Sequence, residues 1–193
     1  RRIVAEGHEL GSHGFWHDKV STLQATDFLA DLKDSRAALE DAGGVPVRGY
    51  RAPSFSIGEA EAAWAYDCLA EAGYRYSSSL HPIAHDHYGR PDAPRFPYRE
   101  SAGVDELPVA TVPLMGRRAS CAGGGFFRLL PYGAYFRPWE IDPGQPRIRG
   151  LPLRARIRHY TNLAAMSGKL ERLLGDFRWD RIDRVYPMFT CGA

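Results

Sequence analysis

Twice in succession the chain runs from a short apolar stretch through a loop marked by glycine or proline into an amphipathic helix stopped by glycine. That recurrence constrains the fold more than any other feature. Thr26 to Ala42 carries Phe28, Leu29, Leu32 and Leu39 on one stripe, with Asp27, Asp31, Lys33 and Glu40 mostly elsewhere, and ends at Gly43-Gly44. Apolar residues at this helical period followed by glycine predict a helix whose charges form a solvated face. Ser56-Ile57-Gly58-Glu59 reads as a capping box opening a second helix through Ala60, Ala63, Trp64, Asp67, Cys68 and Glu71 to Gly73, with Trp64 in the core.

The strands between them are expected at Ile3, Val4 and Leu10, at Val45–Phe55, at Tyr74–Leu80 and at Glu106–Val112. Alternating strands and helices, with loop motifs at the strand ends, specify an α/β fold built on a parallel barrel or sheet. With 193 residues and 44% hydrophobic content the chain can bury one sizeable core, so a single domain is the default.

A net charge of +2 from 25 basic and 23 acidic side chains, without runs of one sign, argues against nucleic acid as a partner. Cys68, Cys121 and Cys191 are too few and too dispersed for a disulfide framework or a cysteine-based zinc site, and are expected to be buried thiols. No run approaches the roughly 18 apolar residues of a membrane helix. The chain opens at Arg1 rather than Met, and Arg1–His8 reads as the end of a helix running into a strand. The expectation is a start inside a domain, which leaves bacterial cytoplasm and periplasm both open.

Chemistry is concentrated in Gly7-His8-Glu9-Leu10-Gly11-Ser12-His13-Gly14-Phe15-Trp16-His17. Two imidazoles four residues apart on a tight turn can share one divalent metal, and zinc is the natural choice for nitrogen donors. A carboxylate would complete a site that still admits water. Gly7 and Gly11 suit a chain that leaves a strand and turns close to a ligand. Arg51-Ala52-Pro53-Ser54-Phe55 follows as a Pro-stiffened loop at a strand end, where α/β enzymes place functional groups. On residue type alone, Arg51 reads equally as a surface charge.

These stretches resemble the NodB-homology polysaccharide deacetylases, whose fold is a distorted, incomplete (β/α) barrel. His13-Gly14-Phe15-Trp16-His17 is similar to that family's H-[ST]-x-x-H motif after a G-H-E-[IL]-[AG]-[SN]-H lead, with Gly14 at a hydroxyl position. Arg51-Ala52-Pro53-Ser54 is similar to its R-x-P-[YF]. The resemblance implies that His13 and His17 are metal ligands and that Arg51 orients a catalytic aspartate. It also implies that the backbone N–H of Ser54 helps hold an oxyanion and that Pro53, Trp139 and Glu140 meet the substrate. Tyr74–Leu80 looks like a further motif in which Ser77 stands where aspartate is common, so a supporting carboxylate is expected to be missing.

Cys121-Ala122-Gly123-Gly124-Gly125-Phe126-Phe127-Arg128-Leu129-Leu130 and Tyr135–Arg147 resemble phrases of the branch associated with exosortase and exopolysaccharide clusters. That branch reads H-P-W-E-[IF]-D-P where this chain has Arg137-Pro138-Trp139-Glu140-Ile141-Asp142-Pro143. Arg137 thus takes the place of the histidine that protonates the leaving amine, and a guanidinium, protonated at all working pH, stabilises charge but is a poor general acid. His85-Asp86-His87 reads as exposed loop, and His159 as a packing residue. The resemblance runs from about Glu6 to Phe177, which implies a partial domain of this family over residues 1–178 and leaves 179–193 as an unassigned tail.

The implied activity is metal-dependent removal of N-acetyl groups from a polysaccharide. The family's first, aspartate-bearing motif is not found in these 193 residues, which leaves a second reading. A degenerate carbohydrate-binding domain would hold a glycan on Phe15, Trp16, Tyr88 and Trp139 without cleaving it. A small-molecule amidohydrolase on the same scaffold is a third reading, and it predicts a closed pocket.

Overall fold

The computed structural model describes residues 1–84, 89–114, 117–120 and 138–187. The chain divides into two compact units, Arg1–Val109 with the stretch from Asp180 onward, and Ala110–Trp179.

The first unit opens with a helical turn, α1 (Arg2–Ala5), then β1 (Gly11–Ser12) and the long helix α2 (Ala25–Gly43). Next come β2 (Gly49–Tyr50), α3 (Glu59–Glu71), β3 (Tyr76–Ser77), β4 (Tyr98–Arg99) and β5 (Asp105–Glu106). The sheet order is β1-β2-β3-β5-β4, with the first four parallel and β4 antiparallel to β5. This is the expected α/β class with an incomplete strand set, since the sheet stays open. Its register aligns Ser12, Tyr50, Ser77 and Glu106 in one row. The loops leaving all four parallel strands therefore start at one sheet edge, the usual place for a site in an α/β fold.

Two local readings are corrected. Ile3 and Val4 lie in α1 rather than a strand, where the Ala5 and Glu6 amides close the turn on the Arg1 and Arg2 carbonyls. Ser56 does not cap α3. Its hydroxyl donates to the Pro53 carbonyl and accepts from the Val20 amide, while Glu61 reaches back to the Gly58 amide at 2.9 Å.

Helix α2 ends as predicted, with Gly44 left-handed at φ 68°. Phe28 and Leu32 bury completely against Ala65, Tyr66 and Leu69 of α3. Phe28 meets Tyr50 and Trp64 edge to face at 5.8 and 5.7 Å, so Trp64 lies at the margin of the core. Burying side chains this size stabilises by roughly 1.5–3 kcal/mol each. Gly49 is needed where β2 meets β3, because a Cβ there would collide with the ring and hydroxyl of buried Tyr76. At the sheet's far edge Arg99 grips buried Asp105 through two bonds, at 2.8 and 2.9 Å.

The second unit has an antiparallel pair, β6 (Thr111–Leu114) and β7 (Arg117–Ser120), a 3-10 turn at Pro138–Ile141, and helices α4 (Leu153–Tyr160) and α5 (Met166–Asp176). Leu163, Met166 and Leu173 bury its helical side. The chain then rejoins the first unit through the short helix α6 (Ile182–Val185). There Arg181 donates to the Gly7 carbonyl and the Asp183 amide to Glu9, whose other carboxylate oxygen accepts from Tyr76 at 2.7 Å. Among the described residues no helix is long and apolar enough to cross a membrane.

Candidate metal and substrate site

Ser12 ends β1 buried, and the chain turns outward at once, leaving His13 and His17 exposed with ring centroids 5.0 Å apart at 75°. The turn between them needs a left-handed residue at each end. Gly14 has φ 82°, and His17 has φ 62° despite its side chain. His13 Nδ1 donates to the Arg51 carbonyl at 2.6 Å. A carbonyl can only accept, so Nδ1 carries the proton and neutral His13 has its lone pair on Nε2. That outer partner is the usual arrangement for a metal-binding histidine.

Arg51 leaves β2 beside this turn. Its Nε donates to the Ser78 carbonyl at 2.9 Å and its Nη2 to the Ser78 hydroxyl at 2.7 Å, while the guanidinium lies 5.6 Å from the centre of the Phe55 ring. Pro53 is buried, and a Cβ on Gly14 would lie 3.7 Å from its ring. Ser54 and Phe55 both have positive φ, 56° and 53°, in a turn closed by the Phe55 and Ser56 amides on the Ala52 and Pro53 carbonyls. Such backbone costs of order 1–3 kcal/mol per residue and clusters at functional sites. The loops leaving β1 and β2 thus carry His13 and His17 on one side and Arg51, Pro53 and Ser54 on the other, joined by the bond from His13 to the Arg51 carbonyl.

Two buried carboxylates that the residue pattern did not single out lie in the same unit. Asp31, expected on a solvated face of α2, is instead buried and accepts the Phe15 and Trp16 amides. Glu106 is wholly buried at the end of β5. It accepts from the Tyr66 hydroxyl and the Leu80 amide, both at 2.9 Å. Burial pushes its carboxyl up, against the pull of these donors, and burial beside Glu106 likewise drives the Tyr66 hydroxyl well up. Ser77 donates to Ser79 at 2.8 Å, and Ser79 accepts the Ala52 amide at 2.9 Å. Glu106 is the register partner of Ser77 on the neighbouring strand. The only sequence signal for it was the acid pair Asp105-Glu106 heading the apolar run Leu107-Pro108-Val109.

The other expected substrate residues lie in the second unit. Trp139 stacks face to face on His159, 4.4 Å between centroids, and Glu140 is buried. Arg137, His85-Asp86-His87, Tyr88, the glycine run at 123–125, Cys121 and Cys191 fall outside the described residues. Cys68 is buried, its Sγ 3.5 Å from the Ala25 carbonyl, and burial pushes its thiol up. Among the described residues no group of three or more His, Cys, Asp or Glu side chains is placed to hold a metal. His13 and His17 fit zinc as two nitrogen donors of a larger ligand set.

Residues 1–77 match the family described as Polysaccharide deacetylase, and residues 78–135 and 133–187 match the one described as Domain of unknown function (DUF3473). The chain belongs to the NodB-type polysaccharide deacetylase family, in the form that continues into a DUF3473 domain. A crystal structure from Mycobacterium smegmatis, provisionally described as a polysaccharide deacetylase, is similar at 28% identity and a TM-score of 0.45 over 56% of this chain. The chain spans about a third of that structure's length, the matched share being 34%. No curated protein matches it.

Proposed function

We propose that this chain carries the histidine half of a metal-dependent deacetylase centre acting on N-acetylated polysaccharide. The observation that carries the reading is the His13–His17 pair at the edge of the sheet, with His13 Nε2 presented as a lone pair by the Nδ1–H bond to Arg51. A divalent metal, zinc by donor type, would polarise the acetamide carbonyl and activate a water. His13 and His17 would hold it. Arg51, fixed by Ser78, would orient the acid that accepts the water's proton, and the Ser54 N–H would steady the developing oxyanion. Pro53, in the same loop as Arg51, would border the sugar.

Zinc uptake by the chain, titrated against a chromophoric chelator, tests the first step. The expectation is one tight site that disappears in the H13A/H17A double variant. Uptake unchanged by that substitution would sink the proposal. Acetate release from acetylated chitooligosaccharide tests the second step.

One observation favours binding without cleavage. Phe15 and Trp16, 47% and 72% exposed, form an edge-to-face pair at 5.1 Å beside the histidines, a surface on which a pyranose ring can stack. Retained oligosaccharide binding with no acetate released would select that reading.

A further inference from the structure

We propose that Asp31, on α2, is a positioning residue for the metal pair, acting by fixing the backbone between His13 and His17; this rests on the metal reading above. The residue is buried, 9% exposed. Oδ1 accepts the Phe15 amide at 3.1 Å and the Trp16 amide at 3.0 Å, and Oδ2 accepts the Phe15 amide at 3.0 Å. Bonds from backbone N–H groups to an ionised acceptor are about twice as strong as neutral ones.

Helix α2 grips the turn a second time. Ser35, one helical turn beyond Asp31 and on the same face, pairs its hydroxyl with that of Ser12 at 2.6 Å. Ser12 immediately precedes His13 and also accepts the Gly14 amide at 3.3 Å. The turn is therefore held before the first histidine by Ser35 and between the two by Asp31. Both anchors project from a helix whose Phe28 and Leu32 are completely buried, so the template is rigid.

Gly14 belongs to the same device. A Cβ at this position would stand 3.1 Å from Asp31 Oδ2, so the missing side chain lets the carboxylate close on the turn. Since ring spacing depends on the peptide units between the two histidines, releasing those amides frees His17 relative to His13. Neither imidazole is lost.

The test compares the chain with its D31N, D31E, L39A and H13A/H17A variants by zinc titration and by the visible spectrum of the cobalt(II) form. D31N keeps the size but places an N–H where the turn needs an acceptor. The expected result is about a tenfold or greater loss of zinc affinity, the scale seen when a group behind a metal ligand is removed. An altered cobalt(II) band and partial recovery in D31E should accompany it. L39A loosens the same helix away from the turn and sets the loss that lowered stability alone produces. If D31N does not fold, D31E against L39A carries the comparison, since it keeps the charge but displaces the carboxylate. Zinc affinity and cobalt spectrum in D31N or D31E no different from L39A would overturn the proposal. Equal uptake by the unaltered chain and H13A/H17A would instead overturn the metal reading, and this proposal with it.

Discussion

His13 Nδ1 and the carbonyl oxygen of Arg51 are 2.6 Å apart, joining two loops separated by 38 residues of sequence. The bond couples the imidazole to the backbone of the Arg51 turn rather than to its side chain. Neutral His13 is expected as the Nδ1–H tautomer, which nitrogen NMR of the imidazole ring would read directly. A neutral ring protonated on Nε2 would remove the lone pair assigned to the metal.

Substituting Gly14 by alanine should destabilise the first unit by about 1–2 kcal/mol, the cost of a left-handed conformation with a side chain attached. The new methyl also crowds the Asp31 carboxylate. Urea unfolding measures the change, and zinc affinity should fall with it. An unchanged midpoint would mean that the turn adopts another conformation.

Arg51→Lys should cost about 1–3 kcal/mol, because one ammonium cannot reproduce the paired bonds of Nε and Nη2 to the Ser78 carbonyl and hydroxyl. The check is again denaturant unfolding. A neutral outcome would show that the guanidinium contributes no hold on the β3 loop.

Glu106 predicts a pH dependence of definite sign. Burial raises its folded-state pKa, so the folded chain keeps this proton to higher pH than the unfolded chain, which releases it near about 4.3. Where only the folded state is protonated, stability falls as pH rises. The contribution is intact below the unfolded pKa and lost by the time pH passes the folded one. Glu106→Gln removes the titration, so the stability of the unaltered chain relative to the variant should decline with rising pH through that window. A difference that grows in favour of the unaltered chain would contradict the assignment.

The parts of this molecule legible in its sequence are those set by local chemistry. The stripe of α2 and its glycine stop gave the helix almost to the residue, and the glycine-flanked histidines and the Arg51–Pro53 turn were visible as loop motifs at strand ends. What escaped depends on neighbours distant in sequence. Asp31 looked like one more charge on a helix, since its partners are amides 15 and 16 residues earlier. Glu106 looked like the start of a strand, since its partners come from α3 and the loop after β3. The strands of the first unit's sheet are only two residues long, so apolar runs overstated their length. Ile3 and Val4 misled as a strand because a single exposed helical turn leaves no periodicity to read.

The clasp of Arg181 and Asp183 on Gly7 and Glu9 bears on how the polypeptide is made. The first unit recruits a stretch that follows the whole of the second, so a nascent chain emerging from the ribosome can lay down its sheet early. It can close the clasp only after residue 183 has cleared the exit tunnel. Stalling translation before and after that point should then yield products that differ in resistance to protease around Gly7.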